Sequence, residues 1–409
     1  MKKRVVITGM SGISALGHDW KTIRKHLGEY HNAVKIMEEW KSYDGLYTSL
    51  GVPVEKFELS SRFTRKNTRS MGRVSVMAVV ATEAALADAG MLDEEWIKEG
   101  NVGVAYGSSS GSHDAVVDFG SMVTNKTTKG INANTYIKMM GHTAPVNIGI
   151  FFGLTGRIYT TSSACTSGSQ GIGYAYEVIS SGKQIAMVTG GAEELSAADT
   201  AVFDTLFATS VKNENPELTP SPFDKDRDGL VLGEGAGTLI LEEYEHAKAR
   251  GAKIYAEIIG YGTNSDGTHV TNPNWKTMNR TIRLSLEDAG LSPENIGYIC
   301  AHGTGTKQGD ITESRATYEV FGENVPISSL KSYMGHSLGA CGALEAWMTV
   351  QMMREGWFAP TINLKTVDPE CSSLDYIMGI GRNIDCEFVM SNNFAFGGIN
   401  TSLIFRRMP

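Results

Sequence analysis

Short apolar runs alternate with helix-like stretches along most of the chain. Runs typical of buried strands occupy residues 3–9, 101–107, 157–163 and 185–191. Residues 75–89 and 168–181 between them have the small and apolar composition expected of packed helices. Strands that alternate with helices are typical of a parallel or mixed sheet with helices on its faces. We therefore predict an α/β fold.

A second α/β unit begins near residue 253. Predicted strands at 253–260, 296–301 and 325–330 alternate with predicted helices at 277–290 and 337–355, and terminal strands follow at 387–391 and 401–406. In each half, a strand runs into an elbow of small residues that sets one reactive side chain just before a helix. The elbows are SSACTSGSQG, with Cys165, and KSYMGHSLGACG, with His336.

These paired elbows lead us to infer an internal duplication. One half would span residues 1–252 and carry the cysteine, and the other would span residues 253–409 and carry the histidines. The alternative is that such elbows are common to all α/β folds and record no duplication.

Cys165 is the candidate nucleophile. At the start of a helix, unpaired backbone N–H groups and the positive end of the dipole stabilise a thiolate, which is the reactive form. The same N–H groups can hold a developing oxyanion. The ordinary alternative is a buried structural cysteine, the usual fate of a free thiol.

Two of the nine histidines lie in glycine-rich turns that follow predicted strands. His302 stands in AHGTGTKQGD, and His336 stands in KSYMGHSLGA. Active sites of α/β sheets gather at strand ends, so these two residues together with Cys165 favour a nucleophile with imidazole partners. A lone histidine in either place is more often structural.

Charged residues near the histidines have two interpretations. Asp310 and Glu313 could orient a histidine or pair with Lys331, or they could be ordinary acids at a helix start. Lys331, five residues before His336, is otherwise typical of a protein surface. The sequence has no H-E-x-x-H motif and no regular spacing of metal ligands, so we expect no catalytic metal.

Two other segments are candidates for substrate or partner contact. The stretch NNFAFGGIN at 392–400 predicts a mobile loop with Phe396 as an aromatic gate, or else a plain turn between two terminal strands. A basic run recurs at three- and four-residue spacing, comprising Arg62, Arg65, Lys66, Arg69 and Arg73. If helical, this run forms one basic face, which suggests an acidic partner or else a solvated helix surface.

Composition narrows the class of protein. The net charge of −8 argues against a nucleic-acid-binding protein. We expect no membrane span, because no apolar run approaches about 18–20 residues, and we expect no secretory leader at the N-terminus. The five cysteines form no C-x-x-C pair, which favours reduced thiols and a cytoplasmic location.

Taken together, the motifs resemble those of the β-ketoacyl-[acyl-carrier-protein] synthases, closest to the type II elongating synthases. They are RVVITGMSGISALG, SSACTSGSQGIG, SPFDKDRDGLVLGEGAG, AHGTGTKQGD, LKSYMGHSLGACGA and NNFAFGGIN, in the order of the family. The resemblance implies a thiolase-like fold, with two βαβαβαββ halves in five αβαβα layers. It also implies a homodimer that needs no redox cofactor, because loss of carbon dioxide drives the condensation.

The resemblance assigns roles to individual residues. Cys165 would accept an acyl chain from acyl-carrier protein, and His302 and His336 would assist decarboxylation of a malonyl thioester and hold the enolate. The remaining matches are Lys331 and Glu313 as supports of the site, Phe396 as gate and oxyanion-hole N–H, Thr304 and Thr306 at the phosphopantetheine arm, Ser110 and Phe203 in the acyl pocket, and Arg62, Arg65, Lys66 and Arg69 at the carrier protein.

One departure bears on the substrate. Ser110 stands where long-chain relatives carry a bulky aliphatic residue, so we hypothesise a specialised synthase that extends polyene or aryl-polyene chains. A partner subunit of the chain-length-factor type would lack the reactive cysteine, although this chain could be the active half of such a heterodimer. A degradative thiolase would need a second, C-terminal cysteine, and a Cys-His hydrolase would need no second histidine.

Overall fold

The computed structural model describes residues 2–408, and its regular elements follow the predicted alternation. The helices are α1 Trp20–Gly28, α2 Arg65–Thr68, α3 Arg73–Asp88, α4 His113–Asn125, α5 Ala133–Met139, α6 Thr143–Phe152, α7 Ser167–Ser180, α8 Ala197–Asp204, α9 Tyr244–Ala249, α10 Trp275–Ala289, α11 Lys307–Phe321, α12 Lys331–Met334 and α13 Cys341–Glu355. The strands are β1 Val5–Ile13, β2 Lys35–Ile36, β3 Leu50–Val52, β4 Val102–Gly107, β5 Ile158–Thr160, β6 Ala186–Glu193, β7 Leu232–Gly233, β8 Gly235–Glu243, β9 Ala256–Ser265, β10 Ile296–Cys300, β11 Pro326–Ser328, β12 Trp357–Phe358, β13 Asp375–Tyr376, β14 Arg382–Asn383, β15 Phe388–Phe394 and β16 Ile399–Arg407.

Eleven strands form one continuous mixed sheet. Their order is β13-β11-β10-β15-β16-β9-β1-β8-β6-β4-β5, so strands before residue 252 occupy one end and strands after it occupy the other. The two ends meet where β1 pairs antiparallel with β9, as Val5 does with Ile258. That these ends are duplicated halves divided at residue 252 stays a prediction.

The helices divide into three layers around this sheet. Helices α3 and α6 pack on the first end, and α10 packs on the second end with α11 beside it. Helix α7 lies against β4 and β6, and α13 lies against β8 and also against β15, so these two helices fill the space between the two ends. The two ends of the sheet thus form two β layers, with helices outside them and between them. The predicted five-layered αβαβα arrangement is confirmed.

The two central helices approach each other closely at glycine. A Cβ added at Gly168 on α7 would lie 2.9 Å from the backbone nitrogen of Ala343, and one added at Gly342 on α13 would lie 2.9 Å from that of Ser169. Side chains of any other residue would force the helices apart, because such contacts are shorter than packed atoms tolerate.

The structure corrects the sequence prediction for the basic run from Arg62 to Arg73. The basic run is not one helical face: only Arg65–Thr68 is helical before α3 begins at Arg73. The N-cap Thr64 and the non-helical residues 69–72 interrupt the basic run.

No helix among residues 2–408 combines the length and apolar character needed to cross a bilayer.

Candidate active site

A cavity of about 420 Å³ opens beside Cys165, and most of the predicted site residues line it. Its lining includes Cys165, Phe203, His302, Thr304, Thr306, Glu313, His336 and Phe396. Four of these, His302, Thr304, Thr306 and Phe396, lie in loops that directly follow strands, as expected where the catalytic residues of α/β sheets gather.

Cys165 lies in a turn of 3₁₀ helix, Ala164–Thr166, which leads directly into α7. Ala164 has a left-handed backbone, with φ of 49°, a conformation that L residues rarely adopt outside functional sites. A second 3₁₀ turn, Leu338–Ala340, leads into α13 in the same way, and Leu338 has φ of 42°. Cys165 lies inside the first turn, two residues before α7, and His336 lies two residues before the second turn.

The thiol of Cys165 is almost completely buried, with 3% of its surface exposed. Burial raises the pKa of this thiol, whereas the backbone N–H of Phe396, the charge of Lys331 and its own backbone N–H lower the pKa. Burial therefore outweighs the helix-start effect that the sequence suggested. Both N–H groups face the sulfur atom of Cys165. That they form an oxyanion hole stays a prediction.

A buried ion pair lies behind His302. Lys331 is fully buried, which excludes the surface role considered from the sequence, and its Nζ donates to the Glu345 carboxylate. Burial alone would lower the pKa of Lys331, but the Glu345 carboxylate raises it, so the amine stays charged. Nζ also lies 3.2 Å from Nδ1 of His302.

Asn393 completes this group. Its Nδ2 donates to Glu345 Oε2 at 2.7 Å and lies 3.4 Å from Nδ1 of His302. Because a carboxylate can only accept, the amide nitrogen must be the atom that faces Glu345. Asn393 is buried, so the whole group is shielded from water.

These contacts fix the proton position on both imidazoles. A charged lysine and an amide nitrogen can only donate, so Nδ1 of His302 accepts and the neutral ring carries its proton on Nε2. Nδ1 of His336 accepts from the backbone N–H of Leu338 at 3.2 Å, with the same consequence. The Nε2 atom of His336 is buried and makes no hydrogen bond within the described structure.

Both rings remain neutral under ordinary conditions. Burial lowers the pKa of His302 and of His336 well below the usual value for histidine, and the charge of Lys331 lowers both further. The rings are nearly perpendicular, with centroids 5.2 Å apart. The cavity therefore faces two neutral N–H donors beside one thiol.

Glu313 shapes the loop that carries His302. Its carboxylate accepts from the backbone N–H groups of His302 and Gly303, each at 2.7 Å. Burial raises the pKa of Glu313 to about 8, although these N–H groups act to lower it. Asp310 accepts from the backbone of Thr304 and pairs with the buried Arg227, so it holds the next part of the loop.

Phe396 lies in the tight turn between β15 and β16 and lines the cavity. That it acts as a gate stays a prediction. Its ring packs edge to face with Phe203 at 5.8 Å. Thr304 and Thr306 lie side by side, with their hydroxyls 2.9 Å apart on the cavity wall.

Other predicted residues lie away from the cavity lining. Ser110 is absent from this lining, and its hydroxyl is buried without a partner in the described structure. The preceding Ser109 is bonded through its backbone and hydroxyl to Glu193. Arg62, Arg65, Lys66 and Arg69 are exposed on the surface, and Arg62 is already paired with Asp93 at 2.6 Å.

Sequence reasoning missed three buried polar residues. Glu345 is the single acid in the apolar run CGALEAWMTVQMM, a signal that could have revealed it. Asn393 lies in the motif NNFAFGGIN, but no pattern in the sequence assigns it a role. Glu193 accepts from Ser108, Ser109 and Gly339, thereby tying the His336 elbow to the end of β4, and burial raises its pKa to about 7.

The spacing of the three reactive side chains also suits a metal ion. Cys165, His302 and His336 each offer one donor atom, and these atoms all lie within 4.8 Å of one another. Here, however, the imidazole atoms that face the cavity carry protons. The arrangement is therefore suited to hydrogen-bonding a substrate oxygen that gains negative charge.

Two protein-family models match most of the chain. Residues 2–247 match the Beta-ketoacyl synthase, N-terminal domain, and residues 255–365 match the Beta-ketoacyl synthase, C-terminal domain. The chain is 37% identical to a 3-oxoacyl-[acyl-carrier-protein] synthase 2 from Synechocystis sp., covering 99% of this chain and 98% of the relative. It is 36% identical to a 3-oxoacyl-[acyl-carrier-protein] synthase 1 from Haemophilus influenzae, with 99% of each covered.

Solved structures agree with this assignment. A crystal structure of a beta-ketoacyl synthase from Burkholderia phymatum is 59% identical, with a TM-score of 0.98 and complete coverage of both chains. The ishigamide ketosynthase/chain length factor is 31% identical, with a TM-score of 0.89 and complete coverage of both. With matches across nearly its whole length and a thiol and two imidazoles in one cavity, the chain belongs to the β-ketoacyl synthase family.

Proposed function

We propose that the protein is a 3-oxoacyl-[acyl-carrier-protein] synthase, which joins an acyl group held on Cys165 to a two-carbon unit from a malonyl-carrier protein. The observation that carries the proposal is the convergence of the Cys165 thiol and two imidazole N–H groups on one cavity. The names of the relatives give the same reaction class.

The first step is transfer of the acyl group. The Cys165 sulfur attacks the carrier thioester, a new C–S bond forms, and the carrier thiol leaves with the proton that Cys165 gives up. The backbone N–H groups of Cys165 and Phe396 are suited to hold the oxyanion of the tetrahedral intermediate. Thr304 and Thr306 are proposed to contact the phosphopantetheine arm on the cavity wall.

The second step is decarboxylation of the malonyl group. The bond to the carboxylate breaks, carbon dioxide leaves, and the electron pair passes into the thioester as an enolate. The Nε2–H groups of His302 and His336 donate to the enolate oxygen, where one well-placed donor can supply about 3–4 kcal/mol. Lys331 adds a fixed positive charge behind His302.

The third step forms the carbon–carbon bond. The enolate carbon attacks the acyl carbonyl on Cys165, and the same backbone N–H pair is suited to the new oxyanion. Collapse of this intermediate breaks the C–S bond and releases a 3-oxoacyl-carrier protein. Cys165 leaves as a thiolate and recovers a proton before the next turnover.

The acyl chain is proposed to lie against Phe203 and Phe396. Their edge-to-face pair offers an aromatic wall beside the thiol, and a flat conjugated chain packs well on such a surface. This supports a polyene or aryl-polyene substrate more directly than Ser110 does, because Ser110 does not line the cavity.

The assembly we propose is a homodimer in the cytoplasm. β5 is the unpaired edge of the large sheet, and Ile158 on it is 46% exposed. Ile150 on the adjacent α6 is 71% exposed, so the edge carries apolar side chains that a second copy could bury. The five free cysteines suit a reducing compartment.

A heterodimer with a ketosynthase-like partner is the second candidate. Solved relatives include a ketosynthase, ApeO, in complex with its chain length factor, ApeC, from Xenorhabdus doucetiae, 25% identical with a TM-score of 0.84 over 99% of this chain and 98% of that one. In such a pair this chain would be the active half, since it keeps the reactive cysteine and both histidines.

Acyl loading tests the central step. Incubation with an acylated carrier protein should add one acyl mass to the chain, and Cys165→Ala should abolish the gain. Intact-protein mass spectrometry measures both. An unmodified wild-type chain with every acyl donor would overturn the proposed function.

Cys386→Ala is the matched control for loading, because this cysteine is only partly buried and lies outside the cavity lining. It should load normally. Running the same measurement with saturated and polyunsaturated donors tests the substrate, and preferential loading of saturated long chains contradicts the polyene hypothesis.

Asn393→Leu should slow decarboxylation of malonyl-carrier protein while leaving acyl loading of Cys165 nearly unchanged. Removing a hydrogen bond to a charged group costs about 1.5–3 kcal/mol, which corresponds to roughly a tenfold to hundredfold loss of rate if it misplaces His302. Carbon dioxide release measures decarboxylation, and mass spectrometry measures loading.

Asn147→Leu is the control for Asn393→Leu, because Asn147 is equally buried but lies on α6 among bonds to Ser70 and Thr143. It should change stability without changing the ratio of the two rates. An equal loss of loading and decarboxylation in Asn393→Leu would show a general structural effect instead.

The pH profile should reflect neutral histidines. Because the pKa of both rings is lowered, the active neutral form persists as the pH falls through 6.5, and the decarboxylation rate should decline only below it. Burial lowers both pKa values most, and replacing Lys331 by Met together with Glu345 by Gln removes the charge that lowers them further. The acid limb should then move to higher pH, and an unmoved limb would contradict the role given to Lys331.

Ile158→Asp with Ile150→Asp should convert a dimer into a monomer of about 44.2 kDa in sedimentation equilibrium. Ile380→Asp is the control, because Ile380 is 72% exposed but lies in the loop after β13, the strand at the opposite end of the sheet. A wild-type chain that sediments as a monomer would contradict the homodimer and favour the heterodimer.

A further inference from the structure

Glu193 is a fully buried acid at the end of β6, and four hydrogen bonds converge on it. Its Oε2 atom accepts from the backbone N–H of Ser109 at 2.7 Å, from the hydroxyl of Ser109 at 2.5 Å and from the backbone N–H of Gly339 at 3.0 Å. Its Oε1 atom accepts from the Ser108 hydroxyl at 2.9 Å. All four donors are neutral groups, so none of these partners is a cation that would offset the burial of a carboxylate.

Two loops meet at this carboxylate. The first follows β4 directly, and its Ser109 carbonyl accepts at 3.3 Å from the hydroxyl of Ser162, in the loop before the nucleophile. The second is the 3₁₀ turn Leu338–Ala340, which includes Gly339. A Cβ added at Gly339 would lie 2.8 Å from Glu193 Oε2 and 3.0 Å from the Ser109 nitrogen, so a side chain there would displace the carboxylate.

The same turn sets the position of the proton on His336. Its consecutive N–H groups face two different acceptors, because that of Leu338 donates to His336 Nδ1 at 3.2 Å and that of Gly339 donates to Glu193. Leu338 has a left-handed φ of 42°, a costly conformation that persists only where neighbouring contacts hold it. The bond to Glu193 is such a contact. It therefore stabilises the backbone that keeps Nδ1 an acceptor and leaves the proton on Nε2.

The turn of Cys165 is held differently. Within it, the backbone N–H of Ser163 donates to the Ser167 hydroxyl at 3.0 Å, and this hydroxyl donates to the Ala164 carbonyl at 2.7 Å. These bonds close the turn locally, without Glu193. Loss of the Glu193 bonds should therefore disturb the imidazole more than the nucleophile.

We propose that Glu193 is a positioning residue for decarboxylation, acting on His336 through the turn Leu338–Ala340. The proposal rests on the proposed function, which gives the Nε2–H of His336 the task of donating to the enolate oxygen. What the turn needs from Glu193 is an acceptor oxygen at the Oε2 position. Its charge is not required, because the Ser108 hydroxyl can donate to an ionised Oε1 or accept from a protonated one.

Two substitutions separate an acceptor oxygen from a buried charge. Glu193→Leu removes both oxygens, so it should slow carbon dioxide release from malonyl-carrier protein roughly tenfold to hundredfold, whereas acyl loading of Cys165 should change by less than about threefold. Glu193→Gln keeps one acceptor oxygen and can donate to Ser108, so it should retain decarboxylation within about threefold of the wild type. Intact-protein mass spectrometry measures loading.

Glu257→Leu is the matched control, because Glu257 is buried on β9 but pairs with Arg4 at 2.6 Å. It should lower thermal stability without changing the ratio of loading to decarboxylation. Gly339→Ala reaches the same contact from the other side, since the added Cβ displaces Oε2. It should reproduce the selective loss of decarboxylation even if Glu193→Leu fails to fold.

The ¹⁵N resonances of His336 test the proposal without turnover. In the wild type, Nδ1 should resonate as an unprotonated nitrogen and Nε2 as a protonated one, in signals that vanish in His336→Asn. Glu193→Leu should introduce the opposite tautomer, whereas Glu193→Gln and Glu257→Leu should not. A wild-type chain that shows this pattern but decarboxylates nothing would defeat the proposed function alone.

Three outcomes would overturn the positioning role. One is an equal loss of loading and decarboxylation in Glu193→Leu and in Gly339→Ala, which would show a general structural effect. Another is an unchanged decarboxylation rate, or an unchanged His336 tautomer, in Glu193→Leu. The last is a loss in Glu193→Gln as large as that in Glu193→Leu, which would place the effect in the charge of the carboxylate and not in the turn.

Discussion

The site depends on how closely two buried helices can pass. Helices α7 and α13 each begin with a 3₁₀ turn, and Gly168 and Gly342 each face the backbone nitrogen that follows the other glycine. This contact sets the distance between the elbow of Cys165 and the elbow that follows His336. The large sheet and the outer helices supply the packing that holds the central pair in place.

Few ionisable side chains are buried around the cavity, and each of them orients a neighbouring group. A buried ion pair such as Lys331–Glu345 is seldom a net gain for folding, because desolvation offsets the attraction. Its benefit here is directional, since a lysine held by Glu345 can only donate to His302. Glu313 and Glu193 act likewise on backbone N–H groups, so acids fix the loops while neutral rings face the substrate.

Features encoded locally could be predicted from the sequence, whereas those created by distant contacts could not. The strand–helix alternation and the elbow of Cys165 are visible in short windows because turn residues and apolar runs determine them. Lys331 was ambiguous, because its burial depends on an acid fourteen residues away on another helix. The basic run does not form the predicted helical face, because helical spacing in the sequence does not reveal the turn that ends at Arg73.

The position of one proton on each ring has a consequence for what else can enter the cavity. A thiol between two imidazoles, with donor atoms within 4.8 Å, is the kind of ligand set that zinc takes up tightly. An imidazole that binds zinc through Nε2 must carry its proton on Nδ1, where a metal site normally provides an acceptor. Both Nδ1 atoms here face N–H donors instead. Zinc binding through Nε2 of either ring would therefore place two donors against each other at Nδ1, which opposes that mode of binding.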